Sequence, residues 1–278
     1  MDRFPFGIAR LDTIINGGAP AGSVVLLAGD AGAGAREFLY TCAVVNGLAH
    51  TDPERFELNY GQIGELAAIP PEIHYVSFTA SEAELERELK MVIDPAVVEP
   101  SLDAITFVDL SSTYFQLSPV PHSWYAGESQ QLQDLGRRDD RRDALEALGD
   151  YLDEHARENL VLIDSLSDLG ALSRNRLTWS DIALVLKGLR RAARSWNGLI
   201  LLLLDKEGVP PAEFGQLMGS ADGTFVFEWA AGGNELDRTM VVKEFRGVLP
   251  EIEEEDIVRF ETEIHEGGFD ISDVRKIR

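Results

Sequence analysis

The residues best placed to do chemistry stand together near the start of the chain. They are Gly29-Asp30-Ala31-Gly32-Ala33-Gly34-Ala35-Arg36-Glu37, between the apolar run Val24 to Ala28 and an apolar stretch from Phe38. A glycine-rich turn from strand into helix, G-x-x-x-x-G-K-[ST], holds phosphate because its glycines let backbone N–H groups close around the anion. Its lysine reaches the outer phosphates and its hydroxyl holds magnesium. Gly29 and Gly34 fill both glycine positions, but Ala35 stands where the lysine belongs and Arg36 where the hydroxyl belongs. Phosphoryl transfer rests on positioning and on cations that offset charge on the transferred group. Ala35 supplies none, and Arg36 brings a cation one residue late, where it crowds the magnesium site in place of a ligand. Loop amides and a helix N-terminus still favour an anion. Weak phosphate binding by Gly29 through Arg36, without efficient hydrolysis, is the expectation.

The elements that must position this loop follow from apolar, β-branched runs separated by helix-like segments, the pattern of a parallel sheet covered on both faces. The runs predict strands over Val24 to Ala28, Ile73 to Phe78, Ile105 to Leu110, Leu160 to Asp164, Leu199 to Leu204, Thr224 to Trp229 and Thr239 to Lys243. The last ones lie close together, which predicts an antiparallel C-terminal edge. Leu145, Leu148 and Leu152 share one helical face, and Ile182, Val185, Leu186, Leu189, Ala193 and Trp196 make a longer stripe at helical spacing. Trp196 therefore reads as packing, not as a platform for a base. Asp52 to Pro71 and Ser111 to Arg138 read as irregular excursions from one α/β domain spanning 1–278, with no internal repeat.

Charge narrows the function classes. The chain carries 48 acidic and 25 basic residues, a formal net charge of -23, with five lysines. Such a surface repels nucleic acid. It fits the solvated acidic surface that halophiles use, or an acidic protein with a basic partner, and the first is favoured. The run Glu251 to Asp256 reads as a solvated loop, and the clusters Arg137-Arg138, Arg141-Arg142 and Arg190-Arg191-Arg194 as helix surface. No window approaches the roughly 18 to 20 apolar residues of a membrane span. The start lacks the apolar stretch of a signal peptide, so the cytoplasm is expected. The single cysteine, Cys42, falls in an apolar helical run, and His50, His74, His122, His155 and His265 show no metal-ligand spacing.

A resemblance adds to this. Phe6-Gly7-Ile8-Ala9-Arg10-Leu11-Asp12 and Asn16-Gly17-Gly18-Ala19-Pro20-Ala21-Gly22-Ser23, followed by the loop, resemble the start of KaiC-like and RadA-like members of the RecA superfamily. Leu160 to Ser167 resembles that family's Walker B strand, which implies that Asp164 would orient magnesium and water. Ala221-Asp222-Gly223-Thr224 is similar to its A-D-G step, Phe260 to Gly268 to its closing hairpin, and Arg238 to Gly247 to its late basic segment. The resemblance implies a RecA-type P-loop core, ATP or ADP with magnesium as ligand, and head-to-tail assembly. In that assembly Lys243 and Arg246 would reach a neighbouring subunit's nucleotide. Two departures stand out. Glu244 occupies the position of the expected lysine, with Lys243 beside it, and Thr79-Ala80 replace the glutamates that activate the attacking water. Glu82 and Glu84 follow, but Ser81 and Glu84 have the spacing of a capping box. With the acidic composition, the chain resembles the shorter, single-domain KaiC-like proteins of halophilic archaea labelled HTR-like. This implies a regulatory or signalling pseudo-ATPase, working through a protein partner, a homo-oligomer or a mixed oligomer with an active KaiC-like subunit. A slow ATPase that uses Arg36 or a neighbour's basic residue is the alternative. A DNA recombination mediator comes third, set against it the net charge and the lack of a helix-hairpin-helix module or basic tail.

Overall fold

The computed structural model describes residues 2–116, 118–125, 144–172, 177–232, 235–248 and 257–276. The acidic run 251–256, the far part of the excursion 111–138 and arginines 137, 138, 141 and 142 lie outside the described residues. The strands are β1 (Arg3–Phe4), β2 (Ala19–Pro20), β3 (Val24–Gly29), β4 (Ile73–Ser77), β5 (Ile105–Asp109), β6 (Leu160–Asp164), β7 (Leu199–Asp205), β8 (Gly223–Gly232), β9 (Glu235–Phe245), β10 (Ile257–His265) and β11 (Gly268–Lys276). The early helices are α1 (Ala9–Ile14), α2 (Ala35–Thr51), α3 (Pro53–Asn59), α4 (Glu82–Val92) and α5 (Pro95–Ser101).

Nine strands form one sheet in the order β11-β10-β9-β8-β3-β7-β6-β4-β5, and β1 pairs with β2 apart from it. From β8 to β5 the neighbours run parallel, and from β8 to β11 antiparallel. This is the α/β sheet with an antiparallel C-terminal edge that the sequence predicts. Every residue of β3, β4 and β6 is buried, as strands covered on both faces require. One apolar layer sets Phe6, Phe38, Phe225, Phe227 and Phe269 with α2 against the sheet. The other sets Leu148, Leu152, Ile182, Leu186 and Trp196, on the helices Ala144–His155 and Trp179–Trp196, against the opposite face. Each such fully buried side chain contributes roughly 1.5 to 3 kcal/mol of transfer free energy. No helix among the described residues is long and apolar enough to cross a membrane.

Some boundaries differ from the sequence expectation. Asp52 to Pro71 is not wholly irregular: α3 starts there, with Pro53 in its first turn and Asp52 Oδ1 accepting from Arg55 N at 3.0 Å. Its Phe56 and Tyr60 rings stack at 5.0 Å and pack on Val45 and Leu48. At seven residues α3 is too short to show a periodicity. Within 111–125 a helix covers Ser111–Phe115 and a 3₁₀ turn covers His122–Trp124. β8 and β9 run several residues beyond the predicted strands because their outer ends pair with each other, so polar Asp237 and Arg238 belong to the ladder.

Candidate functional site: the loop between β3 and α2

The N-terminal segment is anchored first. Asp12 accepts from Phe6 N at 2.9 Å, Gly7 N at 3.0 Å and Tyr60 Oη at 3.1 Å. Gly18 has φ 111° and a side chain there would sit 2.1 Å from Phe4 O, so only glycine fits between β1 and β2. The segment leads into β3, whose last residue opens the loop.

The loop keeps its shape through bonds to the sheet. Asp30 N donates to Phe227 O and Lys206 N to Gly29 O, both at 3.0 Å, and Ala33 N closes the turn onto Asp30 O. Gly32 and Gly34 take φ 72° and 110°, and Gly34 caps α2 from the left-handed region. A side chain at Gly34 would meet the Phe269 ring at 3.0 Å. Trp229 Nε1 donates to Ala31 O and Arg238 Nε to Gly32 O, each at 3.0 Å, with the Arg238 guanidinium 4.6 Å from the Trp229 ring centre. Lys206 Nζ lies 3.0 Å from Asp30 Oδ1 and 2.8 Å from Glu228 Oε1. Partial burial opposes the Lys206 charge, but the Glu228 and Asp30 carboxylates outweigh it and raise its pKa. Lys206 is thus neutralised by two carboxylates and does not replace the missing loop lysine.

Beside the loop is a cleft of about 250 Å³, lined by Gly29 through Gly32, Gly34 through Glu37, Ser165 and Leu203 to Asp205. Ala35 is buried against Gly29, where an added Cβ would come within 2.7 Å of the alanine methyl. The Arg36 guanidinium forms an ion pair with Asp164 at the end of β6, and Tyr75 Oη donates to the same Asp164 oxygen at 2.9 Å. Asp164 is 4% exposed and Arg36 47%. Burial pushes the Asp164 carboxyl up, and Arg36 and Tyr75 pull it back. Burial likewise opposes the Arg36 charge, and Asp164 more than restores it. One helical turn beyond Arg36, Tyr40 Oη donates to Glu88 of α4.

Magnesium nucleotide is what such a loop ordinarily holds. These residues do not fit its metal: the hydroxyl ligand is replaced by a guanidinium, and the carboxylate expected to face the metal already carries that guanidinium. The glutamate positions after β4 are equally altered. Thr79 N and Ala80 N donate to Ser77 Oγ, and Glu84 is tied into the capping box of α4 with Ser81. Glu88, Tyr40 and Tyr75 were not singled out from the sequence. Arg36 and Tyr40 do share a face of α2 by their spacing of four, the one signal available.

The structure does not bring Lys243 and Arg246 to this loop. Gly223 pairs with Val25 at one end of β3 and with Phe245, whereas Gly29 pairs with Phe227. Arg246 therefore lies beyond the Val25 end, roughly 13 Å of strand away from the loop, and Lys243 is level with Leu26 and Leu27 at the middle of β3, two strands away from it. Lys243 sits in a bulge between the Glu244 and Val242 pairings. At that end is a second cleft of about 430 Å³, with Arg3, Arg194, Arg246 and Asp222 in its lining. Of the basic cluster on helix Trp179–Trp196, Arg194 Nη2 lies 3.1 Å and Arg190 Nε 3.9 Å from buried Asp222. These two arginines are more than surface decoration: they neutralise the aspartate of the A-D-G step, whose other oxygen accepts from Val24 N.

Comparison with known proteins fits this architecture. A KaiC-like protein from Pyrococcus horikoshii OT3 superposes with a TM-score of 0.59 over 98% of this chain and 99% of that one, at 18% identity. The chain has the KaiC-like, RecA-type fold. A DNA repair protein RadA from Mycolicibacterium smegmatis is 34% identical over 114 residues, which make up 40% of this chain and 23% of that protein. No protein-family profile matches the sequence. The RecA-type sheet explains why the loop follows β3 at its centre: there β7 and β8 flank it and supply Lys206 and Trp229.

Proposed function

We propose that this chain is a pseudo-ATPase of the RecA-type, KaiC-like kind, a single unit over 1–278 that acts through protein contacts in a regulatory or signalling role. One observation carries the reading: the one cation in the loop's own sequence, Arg36, is committed to Asp164, while Ala35 offers none. The loop still presents a folded glycine turn at the start of α2, so weak binding of ATP or ADP remains compatible with it, and hydrolysis does not. Assembly with a second copy, or with an active KaiC-like subunit, is supported by charge. Exposed Arg246, in the cleft at the Val25 end, is opposite in charge to Glu37 and Asp205 around the loop cleft. Calorimetry with ATP and ADP in magnesium, alongside a phosphate-release assay, tests the reading. No turnover is expected, and binding is expected to strengthen in the Ala35→Lys/Arg36→Thr variant.

Exposed Arg246, at the end opposite the loop, favours a second reading, a slow ATPase completed by a neighbour's arginine. Steady turnover by the natural chain, abolished by Asp164→Asn, would put that reading first. DNA recombination is not proposed, since Arg190 and Arg194 are engaged by Asp222.

A further inference from the structure

We infer that Arg36 is a resident cation standing in for a divalent metal on Asp164, so that the natural chain excludes metal from this carboxylate and removal of the guanidinium opens a metal site. The inference rests on reading the loop as a phosphate loop and concerns how its cation is supplied. A divalent metal of the magnesium type demands near-octahedral oxygen ligands at about 2.0 to 2.1 Å. Here one Asp164 oxygen already takes both the Arg36 guanidinium and the Tyr75 hydroxyl. Arg36 is the second residue of α2, where a phosphate loop otherwise places the hydroxyl that binds the metal. A metal entering there would lose that ligand and meet a positive charge.

The pair also explains how a nearly fully buried carboxylate is kept at the end of β6. Asp164, at 4% exposure, needs a countercharge once no metal supplies one. Arg36 delivers it from α2, the helix whose start the Phe38, Phe227 and Phe269 rings hold in place. Unlike a metal, this cation cannot leave or exchange. The Asp164 charge is therefore balanced whatever the metal concentration around the protein.

Manganese(II), followed by the loss of its free-ion electron paramagnetic resonance signal, is the probe, with circular dichroism as a check on folding. The acidic surface takes up some manganese anywhere, so Asp164→Asn supplies the baseline. The natural chain is expected to match that baseline. Arg36→Ser is expected to bind an additional ion, lost again in Arg36→Ser/Asp164→Asn, with its thermal midpoint raised by manganese. Arg36→Gln, neutral and closer in length, serves as the second variant should the serine variant fail to fold. Manganese uptake by the natural chain above the Asp164→Asn baseline overturns the inference, and so does a folded neutral variant that gains no ion. Turnover bears on the proposed function and not on this result, so the two readings fail separately.

Discussion

Replacing Asp12 with Asn would read out the N-terminal anchor through pH. Burial pushes the Asp12 carboxyl from its usual range up to about 7, against the hydrogen bonds from Phe6, Tyr60 and Gly7 that lower it. In an unfolded chain an aspartate titrates at about 3.9. Between these values the native state keeps a proton that the unfolded chain releases. The native state then binds more protons, so stability falls as pH rises through this window. Each unit costs about 1.4 kcal/mol, so from about pH 5 to about pH 7 the natural protein loses roughly 2 to 3 kcal/mol that Asp12→Asn cannot lose. The variant carries its own penalty. Its amide NH₂ turned toward Gly7 N leaves that buried donor without an acceptor, at about 1 to 3 kcal/mol. Guanidinium unfolding of both proteins at the two pH values gives the comparison. The variant is expected to be the weaker at the lower pH, with a deficit that shrinks by roughly 2 to 3 kcal/mol, or reverses, at the higher. A deficit of equal size at both would refute the assignment of a strongly raised Asp12 pKa.

Three further outcomes are expected. Gly34→Ala forces a left-handed φ of 110° on alanine and presses Cβ on the Phe269 ring at 3.0 Å. A loss of about 1 to 3 kcal/mol in chemical denaturation should follow, with faster amide exchange at the start of α2. Asp222→Ala removes the acceptor of Val24 N and the partner of Arg194. It should cost about 1 to 3 kcal/mol, and a shift of the melting midpoint below 1 °C would contradict the clasp. His74 has its pKa lowered, mainly by burial and secondarily through His155, with Glu72 acting in the opposite direction. Tyr151 Oη and Glu72 Oε2 occupy its two ring nitrogens, and Asn159 lies beside it. The unfolded chain takes up this proton first, so His74 adds a loss of stability as pH falls below about 6.5, and His74→Gln should remove that part of the acid slope.

The parallel half of the sheet was legible because Val24, Leu162 or Leu202 lies in a strand buried on both faces, which leaves an unbroken apolar run. The antiparallel edge was legible only in outline, since the apolar run of β9 is just Met240, Val241 and Val242, flanked by polar Thr239 and Lys243, and its ends look like loop. The loop and its two unusual residues were plain in the sequence. What Arg36 does was not, because Asp164 lies 128 positions away and no spacing reports that distance. Nor was the fastening of the loop by Trp229 and Arg238, 198 and 206 positions on. The capping box at Ser81 and Glu84 was visible because its partners are three residues apart.

That fastening bears on how the loop can change over generations. Its contour is written in Lys206, Trp229, Arg238 and the glycines, whereas the charge it offers an anion is written in two adjacent codons, those of Ala35 and Arg36. Selection on folding watches over the first set, and over the second through the buried Asp164 that Arg36 neutralises. A lineage with this scaffold changes that charge by neighbouring substitutions while the architecture stays put. A glycine signature therefore records ancestry, and the two positions after it record occupation.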